Sequence, residues 1–380
     1  MATTFKTFLN NDITSTKTLL HEAIPLTGTI ISGTYNTGTP DLGNATNIKN
    51  YAHGMYQSVY DYPYLSSSAN HIFDLTVGYA SSSVLSGAAS VQNAKKINIY
   101  NQMAQVLVGY DQTGSIREFD EDGNFTSGGG TKMKQCVFIN VARLLAKDEI
   151  KKGSFTLKIG TGSYDNAFSG TTHNGIVTVS DSGKENDYRV NSPAGEYAIL
   201  SATLGYNKVT FPNLAPACGL IYYQAGIIVL TSSLFSSGSV AGGYNGLLSG
   251  AAESPVWAGG AVAAGGLNIT ASLTGSTISA SCNNFRNRIY DMSFNNTTEL
   301  NSTIHFARIN HNDFNYSSNP TYLSSSKIVV KNNSLDAPIS YLTTVGLYSS
   351  DNELLAVAKL SEPLKKDPTN EMTIRVRLDY

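Results

Sequence analysis

The side chains that could catalyse a reaction are few and form no recognised motif. The 380 residues include six histidines and three cysteines. Hydrolysis by a nucleophile needs a base and an orienting group beside it. The sequence has no Gly-x-Ser-x-Gly elbow, no His-Glu-x-x-His pair and no Gly-x-x-x-x-Gly-Lys-Ser/Thr phosphate loop. We therefore expect no enzyme, with no catalytic residue, no bound cofactor and no metal ligand.

The histidines suggest bland roles. His21 and Glu22, in the string LLHEAIP, are expected to be solvated or to cap a first helix. His305 and His311, in HFARINHN, would reach one metal ion only if the chain turned between them, and no third ligand is evident. Hydrogen-bonded roles are favoured for both.

A calcium loop is the best metal candidate, and a turn is the favoured alternative. The string DEDGN at 120–124 has alternating oxygen ligands before a glycine, as at the start of an EF-hand loop. The twelfth position is Thr131, where that loop needs a bidentate glutamate. Because Asp-Gly-Asn also suits a tight turn, we favour a hairpin turn between residues 116–119 and Phe125.

The three cysteines are expected to be ordinary buried thiols. Cys136, Cys218 and Cys282 lie far apart in the chain. Their spacing matches no zinc or redox motif.

Composition favours lasting protein contacts over other partners. Charged residues are 14% of the chain, against about 25% in an average soluble protein, whereas 22 residues are tyrosine. Tyrosine brings apolar area and a hydrogen-bonding tip to an interface. The net charge of -2 gives no reason to expect a nucleic acid or membrane partner. The first 25 residues lack a secretory signal pattern, and the most apolar stretch, Gly219 to Leu230, has only 12 residues, so a soluble protein made in a cytoplasm is expected.

Helices are predicted in the first 150 residues. Thr16 to Ile24 is interpreted as a short helix that ends before Pro25. From Ser90 to Leu107 apolar residues recur at helical spacing, with Ser90 as the N-cap. A third helix is expected from about Phe138 to Lys151.

Strands are predicted beyond Gly153. Alternating or apolar runs indicate strands at Ser154–Ile159, Ile176–Val179 and Tyr197–Leu204, and a hairpin over Leu220–Leu230 that turns at residues 224–226. Residues 232–281 are rich in Gly, Ala and Ser and contain the single tryptophan, Trp257. We favour a partly ordered insertion that packs on neighbours, with a self-packed subdomain and a disordered loop as alternatives.

The C-terminal region is also expected to be β-rich. Strands are predicted at Ile339–Tyr348, Glu353–Leu360 and Met372–Leu378, with a hairpin turn at residues 349–352. The sequence thus predicts an α+β fold, with a mixed helical N-terminal region followed by β-rich middle and C-terminal antiparallel β domains. The predicted division is 1–152, 153–285 with the insertion 232–281, and 286–380.

Four long strings resemble virion structural proteins of T4-like marine phages, the cyanophage-type myoviruses. They are TKTLLHEAIPLTGTIISGTY, HGMYQSVYDYPYLSSSANHIFDLTVGY, KKINIYNQMAQVLVGYD and ISYLTTVGLYSSDNELLAVAKLSEPLKKDPTNEMTIRVRLDY. The insertion departs from the resemblance. The resemblance implies a virion protein assembled in the host cytoplasm, without catalytic residues, and placed by its final hairpin in the contractile tail or baseplate.

The partners that the resemblance implies are other virion proteins and copies of the same chain. The strand Met372 to Tyr380 and the insertion 232–281 are the expected contacts, although the strand would alternatively pair only within its own domain. A head or neck subunit, such as a collar or capsid decoration protein, and a receptor- or glycan-binding tail module are the alternatives.

Overall fold

A computed structural model describes most of the chain, and it is mainly β. The described residues are 5–32, 45–87, 90–123, 125, 132–160, 176–204, 217–231, 239–240, 243–244, 277–286, 288–316, 323–324, 327–328, 335 and 338–380. The predicted α+β class with a helical N-terminal region is wrong. One large antiparallel sheet of 14 strands dominates instead, and the helices of the described part are few.

The elements alternate along the chain with short connections. The helices are α1 (Gly28–Ser32), α2 (Val91–Leu107), α3 (Arg143–Ala146) and α4 (Ile278–Arg286). The strands are β1 (Ile13–Thr27), β2 (Ile48–Asn50), β3 (Gln57–Tyr60), β4 (His71–Tyr79), β5 (Gln135–Val141), β6 (Glu149–Ile150), β7 (Thr156–Gly160), β8 (Ile176–Ser180), β9 (Arg189–Ser192), β10 (Gly195–Leu204), β11 (Ala217–Tyr222), β12 (Ile227–Thr231), β13 (Ser239–Val240), β14 (Gly243–Tyr244), β15 (Ile289–Ile309), β16 (Leu323–Ser324), β17 (Lys327–Ile328), β18 (Ser340–Tyr348), β19 (Leu354–Lys366) and β20 (Met372–Asp379).

The large sheet has the strand order β1-β15-β7-β8-β10-β11-β12-β5-β4-β3-β2. In addition β20 and β6 pair with β15, and β9 pairs with β10. Strands β18 and β19 form a separate hairpin.

The chain divides into two compact units. Unit 1 comprises residues 1–20 and 299–380, and unit 2 comprises residues 21–298. The large hydrophobic core lies in unit 2, whereas unit 1 has a small core around Ile309, Leu347, Ile374 and Val376. The division at 152/153 and 285/286 stays a prediction.

The helix predicted at Thr16 to Ile24 is wrong, because this segment lies within β1. Its side chains are exposed from residue 13 to residue 23, so the strand lacks the buried stripe that a helix interpretation needs. β1 ends the strand order of the large sheet. Pro25 is compatible with that position, since an edge strand tolerates a missing backbone donor.

The helix predicted from Phe138 to Lys151 is also wrong. Residues 136–139 of β5 are all buried, as expected for a central strand covered on both faces. Only the four residues of α3 are helical in this range, and Lys147 ends them with a positive φ of 54°.

The helix predicted from Ser90 is confirmed as α2. The Ser90 hydroxyl accepts a hydrogen bond from the Asn93 backbone N–H at 3.2 Å, which is an N-cap. The helix packs very close to β4 at Gly78. A Cβ added there would lie 2.7 Å from the Lys96 carbonyl oxygen, so only glycine allows this approach.

The predicted strands of the middle and C-terminal regions are confirmed as β7, β8, β10, the hairpin β11–β12, β18, β19 and β20. Gly226 closes the β11–β12 turn with a φ of +67°. Most of the insertion 232–281, including Trp257, lies outside the described residues, so the predictions on its order and packing stay predictions.

Candidate functional site

Unit 1 has an apolar surface on the β18–β19 hairpin. The inner side of the hairpin packs on β20, where Leu347 joins the small core with Ile374 and Val376. The outer side has large apolar residues with 47% to 68% of their area exposed. We call this group the hairpin face: Tyr341, Tyr348, Leu354, Leu355 and Val357.

The two-residue period of the strands and the local turn place these residues outside. Tyr348 lies opposite Leu354, and Gly346 lies opposite Val357, in the antiparallel register. The predicted turn is confirmed, because the Ser349 N–H donates to the Glu353 carbonyl oxygen at 2.9 Å. Leu355 has no opposing partner, since the register shifts beside it, and it is 68% exposed.

Charged side chains flank the hairpin face. Asp351 and Glu353 lie at the tip of the hairpin, and Lys359 lies opposite Thr344 further along β19. Among the described residues none of these three charges has an ion-pair partner. A contiguous exposed apolar group with unpaired charges at its rim is typical of a protein contact surface.

Unit 1 also has two free strand edges. In unit 1, β20 pairs with β15 from Ser302↔Asp379 to Ile309↔Met372, and no strand of the described part pairs with its other edge. The alternation predicted for β20 is confirmed, since Ile374 and Val376 are buried between exposed neighbours. The other free edge belongs to β1. Unpaired N–H and C=O groups along such edges can accept a strand from another chain.

Ion pairs hold the N-terminal segment of unit 1 to β15 and the residues after it. Lys6 Nζ lies 2.8 Å from Asp313, Asp12 lies 2.7 Å from Arg308 Nε, and Lys17 pairs with Glu299. The exposed edge of β1 is therefore anchored to the unit that presents the hairpin face.

His21 and Glu22 lie on β1 and not on a helix. The His21 Nδ1 is 3.2 Å from the Thr297 hydroxyl and 3.4 Å from the Asn296 carbonyl oxygen. Glu22 lies 2.9 Å from Lys147 Nζ, and this hydrogen bond holds the pKa of the Glu22 carboxyl below its ordinary value. Both side chains fasten β1 to its neighbours.

His305 and His311 are not brought together. The His305 ring packs on Phe8 with a centroid distance of 5.3 Å, and His311 Nδ1 lies 3.2 Å from a carboxylate oxygen of Glu371. Within the described ranges, no group of three His, Cys, Asp or Glu side chains has the geometry to hold a metal ion.

The segment at 120–124 forms a turn, as favoured from the sequence. The Gly123 N–H donates to the Asp120 carbonyl oxygen at 3.2 Å, and Gly123 has a φ of +66°. Asp120 is buried and pairs with Lys132. The ammonium group occupies the side of the carboxylate that a cation would need, which disfavours calcium there. Asn124 and residues 126–131 lie outside the described residues.

The three cysteines are buried and unpaired, which confirms the prediction. Each thiol lies within hydrogen-bonding distance of a backbone carbonyl, as for Cys136 with Met133 and Cys282 with Leu75, both at 3.3 Å. Burial raises the pKa of all three thiols, and that of Cys282 to about 12. They are therefore unreactive at neutral pH.

The structure also brings together an aromatic surface that the sequence reasoning did not single out. It lies on unit 2 around strands β2, β3 and β4. We call it the aromatic surface: Lys49, Tyr51, His53, Tyr56, Tyr60, Tyr64 and His71, with Ser58 and Asp74 beneath them. The signal in the sequence is the tyrosine-rich string HGMYQSVYDYPY at 53–64.

Comparisons with known proteins return no relative. No family model, no curated protein and no solved structure matches the chain. Among the described helices none is both long enough and apolar enough to cross a membrane.

Proposed function

We propose that this chain is a non-enzymatic structural component of a tailed bacteriophage virion, a subunit of the contractile tail or baseplate that acts through protein–protein contacts. The observation that carries the proposal is the hairpin face of unit 1. Five large apolar side chains, each about half exposed or more, lie on one exposed hairpin. Isolated subunits rarely keep such a group in water unless another protein covers it.

A second copy of the chain is the occupant that this surface fits. Leu355 is the most exposed residue of the hairpin face. Asp351 precedes it by four residues and Lys359 follows it by four. A two-fold axis close to Leu355 therefore brings each Lys359 opposite the other copy's acidic hairpin tip. Such an isologous contact uses the same patch on both copies.

The free edges of β1 and β20 support further contacts in a particle. An assembled subunit commonly completes a neighbour's sheet through an exposed strand. The low fraction of charged residues, 14%, and the resemblance of both chain ends to virion proteins point in the same direction.

The test is the protein content of purified particles of the phage that encodes the chain. We expect quantitative mass spectrometry to find this chain in several copies per particle, in the tail fraction after heads and tails are separated. Particles assembled with Leu355→Glu or Val357→Glu are expected to lack it. The matched control Val190→Glu, at a residue of unit 2 that is 70% exposed, is expected to be incorporated normally.

The proposal is wrong if the chain occurs only in the lysate and never in particles. Recovery in heads stripped of tails would assign it to the head or neck instead. Normal incorporation of both hairpin variants would remove the hairpin face as the assembly surface.

A further inference from the structure

We propose that the aromatic surface of unit 2 binds a neutral hexopyranose oligosaccharide, such as a segment of a cell-surface polysaccharide. This site is separate from the hairpin face, and the inference does not depend on the assembly role. It rests on the arrangement of rings and hydrogen-bonding groups around β2, β3 and β4.

The floor of the surface is a polar row across three strands. Lys49 of β2 lies opposite Ser58 of β3, and Ser58 lies opposite Asp74 of β4, so their side chains are on the same face of the sheet. One oxygen of the Asp74 carboxylate, Oδ1, accepts from the Ser58 hydroxyl at 2.5 Å and lies 2.8 Å from His71 Nε2. Asp74 remains about one quarter exposed.

Aromatic rings stand above this row in two groups. The Tyr51 ring stacks on His53 with a centroid distance of 5.1 Å and an interplanar angle of 12°, and Tyr56 packs on both. Tyr60 packs on Tyr64 and on His71, at 6.3 Å and 5.4 Å.

Lys49 joins the two groups. Its ammonium nitrogen lies 4.8 Å from the Tyr51 ring centroid and 6.0 Å from the Tyr64 ring centroid. The rings and the lysine therefore form one continuous surface.

The loops that present the rings are fixed by hydrogen bonds. Lys95 of α2 donates to the His53 carbonyl oxygen at 2.7 Å, and the Thr76 hydroxyl donates to the Met55 carbonyl oxygen at 2.6 Å. The Tyr64 N–H donates to the Thr46 carbonyl oxygen at 2.9 Å. A surface that is ordered before binding loses less conformational entropy when a ligand binds.

The hydrogen-bonding groups match sugar hydroxyls. Burial, followed by a hydrogen bond with Tyr51, raises the pKa of Tyr60 to about 12, and burial also raises that of Tyr56. Both phenols therefore stay protonated near neutral pH and can donate as well as accept. The His53 Nδ1 accepts from the Met55 N–H at 3.1 Å, which leaves the Nε2–H of the neutral ring as a donor.

These features select a neutral sugar over other ligands. A pyranose ring has a face of C–H groups that packs on an aromatic ring, and hydroxyls at its rim that pair with carboxylates, phenols and imidazoles. The charges of Lys49 and Lys95 are balanced by Asp61 and Asp74, so the surface lacks the excess of positive charge that nucleic acids or anionic polymers require.

The experiment is electrophoresis of the full-length protein in native gels that contain mannan, dextran, laminarin or galactan, with alginate as an anionic polymer. We expect at least one neutral polysaccharide to retard the protein. Calorimetric titration with the corresponding hexasaccharide should then give its dissociation constant. Tyr51→Ala and Tyr64→Ala are expected to weaken binding by at least about tenfold, whereas Tyr51→Phe, which keeps the ring, should lose less.

Controls separate binding from folding. Tyr110→Ala removes another tyrosine of unit 2, which is 53% exposed, and should leave retardation unchanged. Each variant must unfold at the wild-type temperature. If Tyr51→Ala does not fold, Tyr62→Ala is used instead, because its ring lies beside Tyr60 in the sequence and is 46% exposed.

Three results would overturn the inference. One is the absence of retardation by every neutral polysaccharide, and the second is retardation that Tyr51→Ala and Tyr64→Ala leave unchanged. The third is binding of alginate alone with loss in Lys49→Gln, which would assign an anionic ligand. If no polysaccharide binds and the tyrosine variants are excluded from particles, the surface is a protein contact.

Discussion

Replacement of Leu355 by glutamate should break the self-association that we infer for the hairpin face. Burial of a whole leucine side chain contributes about 1.5–3 kcal/mol. Since 68% of Leu355 is exposed, complete coverage contributes about 1–2 kcal/mol in each copy. In a two-fold contact both copies lose this contribution, about 2–4 kcal/mol in total, and two carboxylates are placed near the axis. The dissociation constant should rise about 30-fold to 1000-fold.

The assay is sedimentation equilibrium of the full-length protein over a range of concentrations. Leu144→Glu is the matched control, because Leu144 is 83% exposed and lies in unit 2, away from the hairpin. It should leave the dissociation constant unchanged. Asp351→Lys and Lys359→Glu should each weaken association a few-fold, as expected for exposed charge pairs, and their combination should restore it.

The reasoning is refuted if the wild-type protein stays monomeric at all concentrations, or if Leu355→Glu dissociates at the same concentration as the wild type. Failure of the combined charge reversal to restore association would contradict the antiparallel arrangement alone.

Three further predictions concern stability in unit 2, each measured by chemical unfolding. Asp181→Ala should destabilise the fold by about 3–6 kcal/mol, because the buried carboxylate accepts from two backbone N–H groups and a tyrosine hydroxyl at 2.7 Å to 2.9 Å, and all three donors would lose their partner; a loss below about 1 kcal/mol would contradict this. Gly78→Ala should cost about 2–4 kcal/mol, since the new methyl group meets the α2 backbone, and wild-type stability would contradict the close approach. Burial lowers the pKa of Lys96 from 10.5 to about 8, so the folded state holds fewer protons than the unfolded state between those pH values. The free energy of unfolding of the wild type should rise across this window by up to about 3 kcal/mol relative to Lys96→Met, and parallel curves for the two proteins would contradict it.

The sequence predicted the elements whose local signals agree with their tertiary surroundings. The α2 helix has both a serine cap and apolar residues at helical spacing. The β11–β12 hairpin has apolar runs on both sides of a turn that contains Gly226. In these cases the local preference and the packing favour the same structure.

The first helix failed because the pairing of β1 overrides local preference. Thr16 to Ile24 contains good helix formers, yet β15 offers it a long partner strand, and that pairing is invisible in local sequence. Phe138 to Lys151 failed for a related reason. Apolar residues of a central strand, followed by those of a four-residue helix, imitate the spacing of one longer helix.

The candidate surfaces were predictable only in part. The hairpin and the alternation of β20 could be derived from the pattern of residues. The aromatic surface could not, because Lys49, Ser58 and Asp74 become neighbours only through the register of three strands. The tyrosine-rich string at 53–64 indicated aromatic content but no geometry.

The central claim is that this chain is a subunit of a virion and acts through protein contacts. The most direct test is a cryo-electron-microscopy reconstruction of the intact particle in which this chain is traced. The account predicts symmetry-related copies in the tail or baseplate, with Leu355 and Val357 covered by a neighbouring chain. Particles without density for this chain, or copies whose hairpin face is open to solvent at every position, would contradict it.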